Sequence, residues 1–221
     1  MQIDEKLLTK PIYQKAFTHR SYLNEVPEVK ESNERLEFLG DSVLSLLISE
    51  KLYELRPQDS EGALTNLRSY IVKTISLAKA ARELNLGKYL RLSKGEELSG
   101  GRENTQLLAN TYEALLGAVF LDQGIDATKQ FVEQTLLPLF QEELKYGPPK
   151  DAKSRLQEVL QDEYKKSPQY RILKTTGPDH ARSFTVGVFL DREQLGTGEG
   201  MSKQLAEEAA ALDALAKITF T

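Results

Sequence analysis

Asn33-Glu34-Arg35-Leu36-Glu37-Phe38-Leu39-Gly40-Asp41-Ser42-Val43-Leu44 sets three acids into an apolar helical pattern, and that conflict decides how the chain is read. Leu36, Leu39, Val43, Leu46 and Leu47 recur at helical spacing, which predicts a helix with one face in the core. Glu37 and Asp41 are four apart and Glu34 lies three before Glu37, so the three share a face. Like charges at that spacing repel by roughly 0.2–0.5 kcal/mol per pair, and unpaired carboxylates are costly to bury. Two readings stay open here: a solvated acidic stripe, or a face that a hard divalent cation compensates.

A second apolar run weighs against the solvated stripe. In Leu107-Leu108-Ala109-Asn110-Thr111-Tyr112-Glu113-Ala114-Leu115-Leu116, Asn110 and Glu113 are three apart and share a helix face. Two helices that each present a pair of oxygen donors can hold a cation between them, as carboxylate sites in helical bundles do. The chain has no cysteine and two histidines, so a metal here is held by oxygen. Mg²⁺ suits such a set, because it takes few carboxylates, keeps several waters and leaves room for a phosphate. Residue type and spacing lead to an oxygen-liganded, hydrolytic metal site and stop short of the substrate.

Working outward, helical periodicity continues through Leu64, Leu67 and Ile71 and again from Phe131 to Leu144, predicting an all-α first half of eight or nine helices. Tyr146-Gly147-Pro148-Pro149-Lys150-Asp151 then interrupts the pattern, since Gly-Pro-Pro does not continue a helix. Beyond it, Ser154–Tyr164 is amphipathic, Tyr170–Lys174 and Phe184–Leu190 alternate as strands, and Glu193–Gly198 supplies a third. Ser202 caps an Ala-rich helix to Ile218. The expected architecture is an all-α domain over residues 1–146, a linker over 147–152 and a small α+β domain of order α-β-β-β-α over 153–219.

Composition sets outer limits. Forty per cent hydrophobic and 28% charged residues are ordinary for a globular protein. No run approaches the length of a membrane span, and the acidic N-terminus has no apolar leader, so no membrane partner is expected. The absence of cysteine makes a reducing compartment, the cytoplasm, the default. Net charge is −4, with ten Lys/Arg against eleven Asp/Glu in residues 151–221. Taken alone that argues against a nucleic-acid binder, although binding depends on where cations cluster.

At the acidic run the chain resembles bacterial ribonuclease III. Glu34-Arg35-Leu36-Glu37-Phe38-Leu39-Gly40-Asp41-Ser42 looks like that family's signature. Ala16–Tyr22, Glu61–Thr65, Leu92–Glu97 with Ser99–Arg102, and Glu113–Ala118 resemble its endonuclease domain in the family's order. The second half, through Gly177-Pro178-Asp179-His180 and Gly198–Lys203, is similar to a double-stranded-RNA-binding domain. The resemblance implies a homodimeric endoribonuclease using Mg²⁺, with Mn²⁺ as a substitute, and no organic cofactor. Metal-activated water would cut duplex RNA to 5′-phosphate and 3′-hydroxyl ends with two-nucleotide 3′ overhangs, and structured precursors such as ribosomal RNA would be substrates. Asp41 and Glu113 would be catalytic, and Glu37, Asp41, Asn110 and Glu113 would surround the metal.

The same resemblance makes Phe38 a dimer contact and places Glu34 and Glu61 at supporting acidic positions, where pairing with Arg35, Arg68 or the partner subunit is expected. His19 is expected to be a hydrogen-bonded structural residue. Duplex contacts would come from Gln157 and Glu158, from the turn with Pro178, His180, Ala181 and Arg182, and from Ser202 and Lys203 at the start of the last helix, whose free N–H groups attract phosphate.

Two positions depart from the family pattern. Gln204 stands where a basic run would continue, which removes a phosphate contact. Asn110 stands where an acid is usual. It is either a neutral ligand in an active natural enzyme, a substitution introduced to slow cleavage, or a natural loss of activity; the intact Glu37, Asp41 and Glu113 favour the first. The rival readings are a ribonuclease III-like protein that binds duplex RNA but cuts it poorly, and an unrelated metallohydrolase of small phosphorylated substrates.

Overall fold

The computed structural model describes residues 7–178 and 182–218. Packing divides the chain into two compact units, Met1–Pro148 and Pro149–Thr221. Among the described residues the first unit holds seven α-helices: α1 (Pro11–Ala16), α2 (Glu34–Leu55), α3 (Glu61–Val72), α4 (Thr74–Glu83), α5 (Lys94–Leu98), α6 (Thr105–Thr135) and α7 (Gln141–Tyr146). Five short 3₁₀ turns join them, so part of the helical periodicity is spent in single turns.

Helix starts follow the local sequence. Ser60, Ser93 and Asn104 each accept a hydrogen bond from a backbone N–H of the first turn of α3, α5 and α6, satisfying donors that have no partner within the helix. The core forms where α6 packs against α2, α4 and α1. Leu44, Ile48 and Leu52 from α2 meet Leu115, Leu116 and Tyr112 from α6, all essentially buried. Burying side chains of this size contributes about 1.5–3 kcal/mol each. The Tyr112 hydroxyl is partnered by Thr135 Oγ1 at 2.8 Å. Leu46, placed on the core stripe by periodicity, is 62% exposed. It lies on the flank of the helix, with Val43 and Leu47 occupying the buried side.

At one crossing α2 and α6 touch backbone to backbone. A Cβ added to Gly40 would sit 1.8 Å from the Glu113 carbonyl oxygen, and one added to Gly117 would sit 2.3 Å from that of Leu36. Neither distance is sterically possible, so only glycine permits this approach.

The second unit has the order α8 (Ala152–Tyr164), β1 (Gln169–Thr176), β2 (Ser183–Leu190), β3 (Glu193–Gly200) and α9 (Lys203–Lys217). The sheet is antiparallel in the order β1-β2-β3, with Ile172 opposite Val186 and Val186 opposite Gly198. β3 runs to Gly200, beyond the alternation that predicted it. Gly196, Gly198 and Gly200 share one strand face and lie against Ala214, Ala210 and Ala206 of α9. Two strand residues advance about 6.6 Å and four helix residues about 6 Å, so the two small-residue rows stay in step. Among the described residues no helix is long and apolar enough to cross a membrane.

Candidate metal and nucleic-acid sites

The glycine contact puts the acids opposite one another. Gly40 lies between Glu37 and Asp41 on α2 and abuts Glu113 on α6. The Glu113 carboxyl is pushed up to about 8, first by burial and then by Asp41 and Glu37. Burial also raises Glu37, and Glu34 and Asp41 add to the push; the Asn110 side chain, as a hydrogen-bond donor, acts the other way. No lysine or arginine is among these influences. A protein that buries carboxylates together without a compensating cation has a site electrostatically suited to one.

Among the described residues no three His, Asp or Glu side chains converge tightly enough to chelate an ion unaided. Asn110 withholds one carboxylate from the set. The donors that are present fit a hard cation that keeps part of its water shell.

Beside the acids is a cleft of about 260 Å³, lined by Glu37, Asn110, Glu34, His19, Arg20, Asn33, Leu90, Leu107 and Thr111. Asn110 reaches the cleft as expected, but its carbonyl oxygen, the atom that would bind a metal, accepts a hydrogen bond from Gln106 Nε2 at 2.7 Å. His19 has the expected structural part: its Nδ1 accepts from the Ser21 backbone N–H and caps the turn Arg20–Asn24. Arg20 and Gln106 were missed in the sequence. The signal for Gln106 was its position four before Asn110 on one helix face; Arg20 comes from a distant loop and had none.

Within the chain, the supporting acids find partners other than Arg35 and Arg68. Glu34 pairs with Arg20 at 3.6 Å, whereas Arg35 pairs with Glu31 one turn away. Glu61 accepts from Thr65 Oγ1 at 3.1 Å, and Arg68 turns inward to Ser49 Oγ at 2.9 Å. Among the described residues, then, neither predicted arginine pair forms: Arg35 pairs with Glu31 ahead of α2, and Arg68 bonds to Ser49 on the facing helix. Phe38 is 77% exposed, which excludes core packing within the chain. Tyr53, 75% exposed, lies further along the same side of α2. It borders a groove of about 490 Å³ formed with Leu64, Glu61 and Arg68 of α3.

In the second unit Gln157 on α8 and Gln204 on α9 flank one groove of about 800 Å³, with Lys153, Ser154 and Leu205. Ser202 caps α9 by accepting from the Leu205 N–H at 3.2 Å, which leaves Lys203 exposed at its first turn. Glu158 is ion-paired with Lys150 at 2.6 Å, so its carboxylate is less available to ribose than expected. Pro178 and Arg182 are exposed, while His180 and Ala181 lie outside the described residues. Lys153 and Gln204 join the groove although sequence reasoning did not single out the first and read the second only as a lost cation.

Two family models match the chain. One, described as ribonuclease-III-like, covers residues 9–139, and one described as a double-stranded RNA binding motif covers residues 152–218. The chain is 46% identical over 220 residues to the Ribonuclease 3 of Natranaerobius thermophilus, spanning 98% of this chain and 92% of that protein. It is also 46% identical over 213 residues to the Ribonuclease 3 of Enterococcus faecalis, spanning 94% and 90%. Among solved structures, the nuclease domain of ribonuclease III from Campylobacter jejuni is similar, with a TM-score of 0.56 at 37% identity over 60% of this chain and 90% of that one. That work describes flexibility in a region involved in dimer formation.

Proposed function

Because the chain belongs to the ribonuclease III family of double-strand-specific endoribonucleases, we propose that it hydrolyses duplex RNA at the acids borne by α2 and α6. The observation that carries this reading is the half-buried Glu113 carboxyl, raised by Asp41 and Glu37 with no lysine or arginine among the charges acting on it, across a backbone contact that only glycine allows. Cleavage is assigned to residues 1–146 and duplex binding to 153–219, with 147–152 as the linker.

Glu37, Asp41 and Glu113 would hold the metal, Mg²⁺ by preference with Mn²⁺ as a substitute. When bound, it supplies a water of lowered pKa and stabilises charge developing on the phosphate. Glu113, whose carboxyl is pushed up to about 8, would have to be ionised to hold the cation. Asp41, exposed on α2, presents its carboxylate to the solvent side from which a phosphate arrives. The products are 5′-phosphate and 3′-hydroxyl ends with two-nucleotide 3′ overhangs, and structured precursors such as ribosomal RNA are the substrates, in the cytoplasm.

The overhang requires two sites, hence a homodimer. Phe38, exposed beside the acids, is the contact residue, and the groove between α2 and α3 is the receptor for its counterpart. On the second unit, Gln157 offers hydrogen bonds to 2′-hydroxyls, the segment 178–182 enters the next minor groove, and Ser202 and Lys203 meet phosphate.

The test is incubation of the full chain with end-labelled duplex RNA of about thirty base pairs, longer than the ~16 bp that one such binding domain spans. It is run with Mg²⁺, with Ca²⁺, and with Glu113→Ala in Mg²⁺. Discrete Mg²⁺-dependent products with overhangs, absent in the variant, are expected. Tight binding without products would instead favour a duplex-binding protein silenced at Asn110, and neither binding nor cutting would overturn the reading.

A further inference from the structure

Asn110 carries no charge, yet it stands in the cleft with Glu37, and its surroundings say which end of its amide does the work. Asn104 caps α6 by accepting from the backbone N–H groups of Gln106 and Leu107, which anchors the first turn. From that turn Gln106 Nε2 donates to Asn110 Oδ1 at 2.7 Å. The two residues are four apart, so their side chains stack along one helix face. An amide has a carbonyl end that accepts and an NH₂ end that donates. The direction of this pair of amides is the one in which Gln106 donates and Asn110 accepts. With its carbonyl bonded to Gln106, Asn110 has its NH₂ end left for Glu37, which lines the same cleft. Reversing both amides would set the Asn110 carbonyl against the Glu37 carboxylate.

We propose that Asn110 is a positioning residue rather than a metal ligand: Gln106 fixes its amide so that the NH₂ end holds the Glu37 carboxylate in the cleft. This rests on the reading of Glu37 as a metal-holding residue. An aspartate at position 110 has no donor for Glu37 and would face it with a like charge. The asparagine exchanges a fourth negative charge for a neutral clamp, and the clamp works only while Gln106 orients it. Gln106 is exposed, so exchanging it disturbs little else.

The test needs no RNA. Mn²⁺ is titrated into the full chain, with the free ion followed by electron paramagnetic resonance, for wild type, Gln106→Met, Asn110→Ala and the double variant. Each single change is expected to weaken Mn²⁺ binding about tenfold, the low end for loss of a partner that orients a ligating group. The double variant should be no weaker than either single one, because the two residues act as one unit. The Asn110 side-chain NH₂ resonances should exchange slowly with water in wild type, with and without a diamagnetic Mg²⁺ load, and rapidly in Gln106→Met. Weaker binding by Asn110→Ala with wild-type binding by Gln106→Met would overturn the proposal in favour of direct ligation by the carbonyl. Additive losses, or no loss in either single variant, would overturn it as well. A wild-type chain that binds no Mn²⁺ would overturn the reading of the site and this inference with it.

Discussion

The two units each bring a pair of backbones into direct contact through glycine, and they use the contact for opposite ends. In the nuclease unit, Gly40 and Gly117 let α2 and α6 meet at one point, and the closeness brings Glu113 within the influence of Glu37 and Asp41. In the duplex-binding unit, Gly196, Gly198 and Gly200 meet Ala214, Ala210 and Ala206 along a whole strand. There the contact buries a smooth apolar row and asks for no ligand. The first contact sets like charges near one another; the second contributes packing alone. Close approach is thus a neutral device whose meaning depends on the side chains on either side of it.

The comparison can be broken most forcefully at its tightest point. Gly40→Val puts a side chain into the Glu113 backbone and should cost about 3 kcal/mol or more of unfolding free energy, the upper range for overpacking. Chemical denaturation would measure it, and metal binding should be lost at the same time. Gly198→Val is the matching change in the other unit, where a Cβ would lie 2.1 Å from the Ala210 nitrogen. A loss of about 1–3 kcal/mol is expected, seen by calorimetry as a lower melting transition for the second unit. Duplex binding should fall while Mn²⁺ binding stays at the wild-type level.

The smallest change sharpens the contrast instead of breaking it. The folded-state pKa of Glu113, about 8, lies above its ordinary value of 4.5, so the unfolded chain releases that proton first as pH rises. Stability from this residue is fully present below pH 4.5 and is lost between 4.5 and 8. Glu113→Gln removes the titration. In the metal-free protein it should raise the melting temperature by a few degrees at pH 8 and by nothing at pH 4. Saturating Mg²⁺ should reverse the order at pH 8 by stabilising wild type alone. Equal melting curves for the two proteins at both pH values would show that the acids are solvated and unstrained.

Much of this was legible along the chain. Glu37, Asp41 and Glu113 declare themselves because acids at spacings of three and four in apolar helices conflict with the surrounding pattern. The α-β-β-β-α order was readable because the hydrophobic period changes from 3.6 to 2 after Gly147-Pro148-Pro149. Less was readable where the deciding neighbour is distant in sequence. Nothing near Glu34 distinguishes Arg20 from Arg35 as its partner, and Leu46 has the spacing of a core residue while facing out. The end of β3 was hidden because glycines carry no hydrophobic signal; their purpose shows only against the alanines of α9.

By itself, then, the sequence determined the residue types, their helical and strand periods, and the break between two halves, since these are local properties of consecutive residues. Tertiary structure decided which acids face each other, that Arg20 and not Arg35 pairs with Glu34, and which glycines are indispensable. Those depend on the separation of groups from different elements, and Coulombic, hydrogen-bond and steric energies all change steeply over the few ångströms that only packing fixes.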